Sequence, residues 1–180
     1  EQLVPALELF EAVGDLAGTA SCCDDIGRTY WLAGRMSEAT RFLERAAAYR
    51  ERVGDRQGLA STLANIAVLS MSRGEVARAE TTIARAVRIC REGGRRAELV
   101  EAMNVQGAMY AMAGRLRDAV ATMRDALVIA ERIEHLRLAS ILKNNLGDAL
   151  LTLGEIAEAE ERLYAAVEAA GRLDDHTLLS

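Results

Sequence analysis

The sequence predicts an all-α protein of stacked helical hairpins. Three observations carry this: a composition rich in helix formers and poor in strand formers, a repeat of 40 residues, and small side chains recurring in register around each repeat's turn. Of the 180 residues, 51% are hydrophobic and 27% charged, which suffices for a sizeable core and does not resemble a disordered chain. Aromatics make up 4% and Pro5 is the single proline, while Ala, Leu, Arg and Glu dominate.

The period is read from GRMSEA at Gly34, GEVARA at Gly74, GRLRDA at Gly114 and GEIAEA at Gly154, each 40 positions after the last. Each Gly ends one helical pattern and precedes another, as expected of a left-handed residue that closes a helix. It marks the turn inside a hairpin, so the repeats are 14–53, 54–93, 94–133 and 134–173. Residues 1–13 align with the second helix of an earlier repeat or serve as an N-terminal cap, Leu3 and Ala6 standing where Leu43 and Ala46 stand; Pro5 suits a first helical turn. GDLAGTA from Gly14 matches GDRQGLA from Gly54, both linking one hairpin to the next, and residues 174–180 enter the corresponding link as the expected start of a further repeat.

Seven positions before each turn stand Gly27, Ala67, Gly107 and Gly147, where a tiny side chain lets helices approach closely. In the second helices, Ala39, Ala79, Ala119 and Ala159 and then Ala46, Ala86, Ala126 and Ala166 flank Leu43, Ile83, Met123 and Leu163. The i, i+4, i+7 spacing makes one buried stripe of alternating small and large residues.

This pattern resembles the tetratricopeptide repeat, whose signature is a small residue in the first helix, a turn Gly, and two alanines around a large apolar residue in the second. The resemblance runs over nearly the whole chain. Tyr30 and Tyr110 match the family's first-helix aromatic, Ser70 and Leu150 depart from it, and the family's Pro after the second helix is absent. A period longer than the usual one of about 34 residues implies longer helices. That is similar to the extended repeats of kinesin light chains and to the sensor regions of bacterial signal-transduction ATPase regulators. HEAT repeats share the period, but their Pro and Asp/Arg signatures are missing. The resemblance implies a right-handed α-solenoid of antiparallel helical hairpins.

Once Cys23, Ile26, Gly27 and Tyr30 are assigned to packing, the remaining first-helix face bears Ser21, Asp24, Asp25, Arg28 and Trp31. Its counterparts fall at Ser61, Ala64, Asn65, Val68 and Met71, at Glu101, Asn104, Val105, Ala108 and Ala111, and at Ile141, Asn144, Asn145, Asp148 and Leu151. In the family these faces line a concave groove. The candidate peptide-binding residues are therefore Asp24, Asp25, Arg28, Asn65, Val68, Asn104, Ala108, Asn144, Asn145 and Asp148. Asparagine is a poor helix former, so the KNNLG stretch at 143–147 asks for a reason. An amide carries both a donor and an acceptor and can pair with the backbone of an extended peptide whatever its side chains. The alternative is that such amides are solvated or tie neighbouring helices together. Asp24 and Asp25 only accept, so that end suits an Arg, a Lys or a free amine. Trp31 is either an anchor or seam packing, the commoner role, and Met71 and Met112 read as core before floor.

Other functions find little support. A net charge of −5 supplies no basic field for nucleic acid, and no apolar run approaches the ~20 residues a bilayer span needs. Adjacent Cys22 and Cys23, with Cys90, suit a reducing, cytoplasmic compartment better than disulfides. His135 and His176 fall in separate links with no metal-ligand spacing, no HExxH or CxxC occurs, and a Cys–His nucleophile pair would need residues almost three repeats apart. EGGRR at 92–96 lacks the strand and Lys of a phosphate loop and reads as a solvated link. No catalytic residue, cofactor or metal is expected. Lys143 is the only lysine, as in proteins of GC-rich bacteria. The expected function is a peptide- or protein-binding scaffold, the regulatory or sensor part of a larger bacterial protein. The alternatives are self-assembly into homo-oligomers through uncapped solenoid ends, or sensing of a small effector in an ATPase-type transcriptional regulator.

Overall fold

The computed structural model describes residues 3–178, with side chains through residue 168. Among the described residues the backbone forms helices and no strand. It divides into two compact units, residues 1–93 and 94–180.

The first unit holds α1 (Leu3–Val13), α2 (Leu16–Leu32), α3 (Met36–Val53), α4 (Arg56–Ser72) and α5 (Val76–Glu92), each packed against the next. Asp15 and Asp55 begin α2 and α4 by accepting from the amides of Gly18 and Gly58, each at 2.9 Å, which satisfies otherwise orphaned first-turn donors. The hairpin turns at Gly34 and Gly74 are left-handed, with φ of 74° and 76°. Ala39, Leu43 and Ala46 on α3 and Ala79, Ile83 and Ala86 on α5 are at most 1% exposed, so the alternating stripe is the core. A Cβ on Gly27 would lie 2.8 Å from Leu43 Cγ, which shows why a small residue stands there. Leu7 of α1 packs with Cys22, Cys23, Ile26 and Ala46, and the Tyr30 and Phe42 rings stack 5.5 Å apart beside them.

The second unit holds α6 (Arg96–Met112), α7 (Leu116–Arg132), α8 (Leu136–Leu153) and α9 (Ile156–Leu178); α7 packs on α6 and α8, α9 packs on α8, and α6 touches α8. The same small-against-large contact recurs: a Cβ on Gly107 would sit 2.7 Å from Met123 Cγ, and one on Gly147 2.6 Å from Leu163 Cγ. Arg115 lies 4.4 Å over the Tyr110 ring, as Arg35 lies 4.5 Å over Tyr30, so each family-type aromatic is covered by the Arg after its hairpin turn. Where the pattern departs, Ser70 and Leu150 are buried. Gly14, Gly54 and Gly94 make left-handed links, but the equivalent position is Glu134, left-handed at φ 54° without a glycine's freedom. His135 then starts α8, its Nδ1 accepting from the Leu138 amide at 3.3 Å. Helix α9 continues past residue 174, where the repeat register places a link. The His176 side chain and the last residues, 179 and 180, lie outside the described residues.

Candidate functional site

The KNNLG stretch resolves into five environments. Lys143 Nζ pairs with Glu131 Oε1 at 3.3 Å, Asn144 is exposed, Leu146 is fully buried, and Gly147 admits Leu163. Asn145 is half-buried, its Nδ2 donating to Asn104 Oδ1 at 2.9 Å. These two candidate residues are thus not solvated amides: they tie α8 to α6, while Asn145 retains its carbonyl and Asn104 its amide hydrogens for further bonds. Ala108 is half-buried and Asp148 exposed on the same two helices. Ser140, Ile141, Asn144 and Asn145 face Ala166 and Val167 across a shallow cleft of about 320 Å³, and Ser140 Oγ donates to Ala166 O at 3.2 Å on its floor. One wall carries amides and the other is apolar, an arrangement suited to a peptide backbone with aliphatic side chains.

In the first unit Asp25 and Arg28 are exposed, and Asn65 and Val68 are half-buried. Asp24 departs from the expectation of a solvent-facing acid that would select a cation, for it is 8% exposed. Thr62 Oγ1 donates to its Oδ1 at 2.8 Å, and Arg50 Nη1 lies 3.8 Å from the same oxygen. Arg50 also donates to Thr62 Oγ1 and, at 2.5 Å, to the Gly58 carbonyl. A carboxylate so enclosed is the counter-ion that lets a guanidinium lie between α2, α3 and α4. Gly58 makes room for it: a Cβ there would meet Arg50 Nε at 2.6 Å. Neither Arg50 nor Thr62 stands out as a site residue, though one signal was present. The positions equivalent to Arg50 are Phe10, Cys90 and Ala130, and those equivalent to Asp24 are Ala64, Asn104 and Asn144. A lone cation and a lone anion in otherwise uncharged positions belong together. Trp31 is half-buried beside this face, and Met71 is buried whereas Met112 is exposed.

The adjacent cysteines are poorly placed to act as nucleophiles. Cys22 and Cys23 are buried, and burial raises both thiols above their ordinary range, which disfavours the thiolate. No cluster of three His, Cys, Asp or Glu side chains able to hold a metal occurs among the described residues, and no described helix is long and apolar enough to cross a membrane.

Family models described as tetratricopeptide repeat match residues 19–53 and 58–132, together more than half of the chain. The chain belongs to the tetratricopeptide repeat family. No curated protein matches it. Among solved structures, kinesin-light-chain-like TPR repeats from Podosopora anserina share 19% identity and a TM-score of 0.72, covering 97% of this chain and 89% of that one. The Rap conjugation gene regulator of plasmid pLS20, in complex with the Phr* peptide, shares 20% identity and a TM-score of 0.72 over 88% of this chain and 44% of that one. A signal-transduction ATPase with a TPR sensor from Pyrococcus horikoshii shares 15% identity and a TM-score of 0.77, covering 90% of this chain and 25% of that one. At these identities the likeness shows the fold, an α-solenoid of TPR hairpins.

Proposed function

We propose that this TPR chain is a peptide-binding module, the regulatory or sensor part of a larger cytoplasmic bacterial protein, with repeats at 14–53, 54–93, 94–133 and 134–173. The α6 and α8 face of its second unit is the surface that takes an extended segment. The observation that carries this reading is the Asn145–Asn104 hydrogen bond, which orients both amides and leaves an acceptor on one and donors on the other beside the exposed Asn144. Two oriented amides can pair with one peptide unit and lose little ordering entropy in doing so. The Rap relative bound to its Phr* peptide, built on the same fold, supports the assignment. On the first unit Asp25, Arg28, Asn65 and Val68 offer a comparable face, with Asp24 withdrawn to its Arg50 partner. We assign no catalysis, no nucleic-acid contact and no membrane contact to this segment.

A peptide-array screen followed by calorimetry with Asn144→Ala tests the reading. Extended peptides should bind, and the variant should weaken them about five- to a hundredfold while leaving the melt unchanged, as expected for a lost hydrogen bond to a partner. No binder, or binders indifferent to Asn144, would remove this face from consideration. Self-assembly is a second reading, favoured by Tyr164 and Val167 of α9, which are 76% and 72% exposed. Light scattering on Tyr164→Glu and Val167→Glu decides it: oligomers that dissociate support it, and a wild-type monomer rules it out.

A further inference from the structure

On the first unit, where α3 passes into α4 beside the last turns of α5, lies a cleft of about 330 Å³. Its walls carry Arg50, Arg56, Arg85 and Arg88 against two carboxylates, Glu51 and Glu92, over the aliphatic Leu59 and Ile89. Arg50 is already matched by Asp24 and Asp55, at 3.8 and 3.7 Å, is held by Thr62 and Gly58, and fixes one wall. The cleft's remaining guanidiniums, Arg56, Arg85 and Arg88, share the two carboxylates of Glu51 and Glu92, a surplus of one cation in a chain whose net charge is −5. Arg85 donates to Glu51, and Arg56 to Glu92, each at 2.5 Å across the cleft from another helix. Arg88, 68% exposed, has only the far oxygen of Glu92 near it, at 4.0 Å. Gly54 lines the cleft without a side chain, and the space beside it is open.

We propose that this cleft binds an acidic, aliphatic peptide segment, whose carboxylates displace Glu51 and Glu92 from Arg85 and Arg56. The two glutamates already display how a carboxylate meets these guanidiniums, and because both pairs are about half exposed they are weak enough for a ligand carboxylate to displace. Leu59 and Ile89, 6% and 7% exposed, give the cleft a narrow aliphatic base that a bare phosphate would not use, and Arg88, which shares Glu92 with Arg56, is the surplus cation that draws an acidic chain in. The site lies on different residues from the amides of α6 and α8 and stands or falls apart from them.

The test is NMR titration of the whole chain with the capped peptide Asp-Leu-Asp-Leu-Asp, its Lys-Leu-Lys-Leu-Lys counterpart and inorganic phosphate. Arginine Nε–H and Leu59 and Ile89 methyl signals are followed in wild type, Glu51→Gln/Glu92→Gln and Arg85→Ala/Arg88→Ala. The acidic peptide should shift the Arg56, Arg85 and Arg88 signals saturably, and the basic peptide should not. Removing the glutamates should tighten binding by about two- to tenfold, because exposed pairs of modest strength no longer compete. Removing Arg85 and Arg88 should weaken it at least about tenfold. A glutamate that only braced the fold would lower the melt and leave binding unchanged or weaker, which would overturn the proposal. So would equal shifts from inorganic phosphate, which would make the cleft a general oxyanion site, or shifts confined to Asn104, Asn144 and Asn145. Should the double glutamine variant fail to fold, the single Glu92→Gln, at a half-exposed position, carries the same sign.

Discussion

The side-chain amide of Asn145 donates to the side-chain oxygen of Asn104 at 2.9 Å, joining α8 to α6 between residues 41 positions apart. Adjacent Asn144 is exposed and makes no such tie. The two asparagines of KNNLG therefore divide the work, one bracing the scaffold and one facing solvent. Asn145→Ala should destabilise by about 0.5 to 1.5 kcal/mol, the worth of a half-buried hydrogen bond, whereas Asn144→Ala should be neutral or gain a few tenths from better helix propensity. Urea unfolding of both, with Asn104→Ala and the Asn104→Ala/Asn145→Ala pair, checks this. Additive losses in the pair would mean the bond contributes nothing to stability.

Asp24 and Arg50 give the second prediction. Phe10 stands on α1 where Arg50 does on α3, and each covers a glycine, Gly18 or Gly58. Arg50→Phe alone should cost about 2 to 4 kcal/mol because it strands the buried Asp24 carboxylate. Adding Asp24→Ala should recover most of it, since an apolar pair replaces an ionic one. Thermal melts that show no recovery would mean that Arg50 acts through packing on α4 and not through its charge.

Much of this was legible because TPR packing is local: the residue that must be small and the residue that fills its notch lie 16 positions apart, as Gly27 and Leu43 do. The Asn104–Asn145 bond was hidden because it is one position out of the 40-residue register, an offset set by how α6 and α8 cross. Asp24 looked exposed on a helical wheel, which knows nothing of a guanidinium arriving from α3. The link at Glu134 shows the opposite limit, since its backbone geometry is that of its glycine equivalents although its side chain argues against it.

That link yields a third prediction. Gly14, Gly54 and Gly94 occupy the equivalent left-handed position, and Glu134 there has φ 54°. A Cβ in that conformation costs about 1 to 2 kcal/mol, offset in part by glycine's freedom in the unfolded chain. Glu134→Gly should stabilise by about 0.5 to 1 kcal/mol, and Glu134→Val should destabilise. The reverse order in calorimetric melts would show that the Glu side chain earns its place through contacts.

Repeated ion pairs between second helices invert their charges with position. Arg78 of α5 pairs with Glu44 of α3, while at the equivalent places Glu158 of α9 pairs with Arg124 of α7, at 2.6 Å. Arg124 also lies 3.7 Å from Glu155, and Glu158 lies 3.6 Å from Arg162. Arg124→Glu should therefore cost about 0.5 to 1 kcal/mol, and Arg124→Glu/Glu158→Arg should restore only part of it, because the swap sets like charges beside Glu155 and Arg162. Full recovery in urea unfolding would show that those two neighbours contribute nothing.

The notch between first and second helices gives the most stringent test. A Cβ on Gly107 would fall 2.7 Å from Met123 Cγ, and Met123 is 2% exposed, so it has little room to retreat. Gly107→Ala gains about 1 kcal/mol of helix propensity but sets its Cβ against Met123 Cγ, near the root of a buried side chain, so the clash should offset or outweigh that gain. Gly107→Leu adds further volume to the same notch and should destabilise by about 1 to 3 kcal/mol. Met123→Ala alone should cost about 2 to 5 kcal/mol through the cavity it leaves. Combined, the new leucine fills the volume the methionine vacates, so Gly107→Leu/Met123→Ala should be more stable than the sum of its parts by at least about 1 kcal/mol. Denaturant unfolding of the four proteins measures that coupling. Strict additivity would show that the two side chains do not share the notch and that the recurrence of Gly107 and Gly147 has another cause.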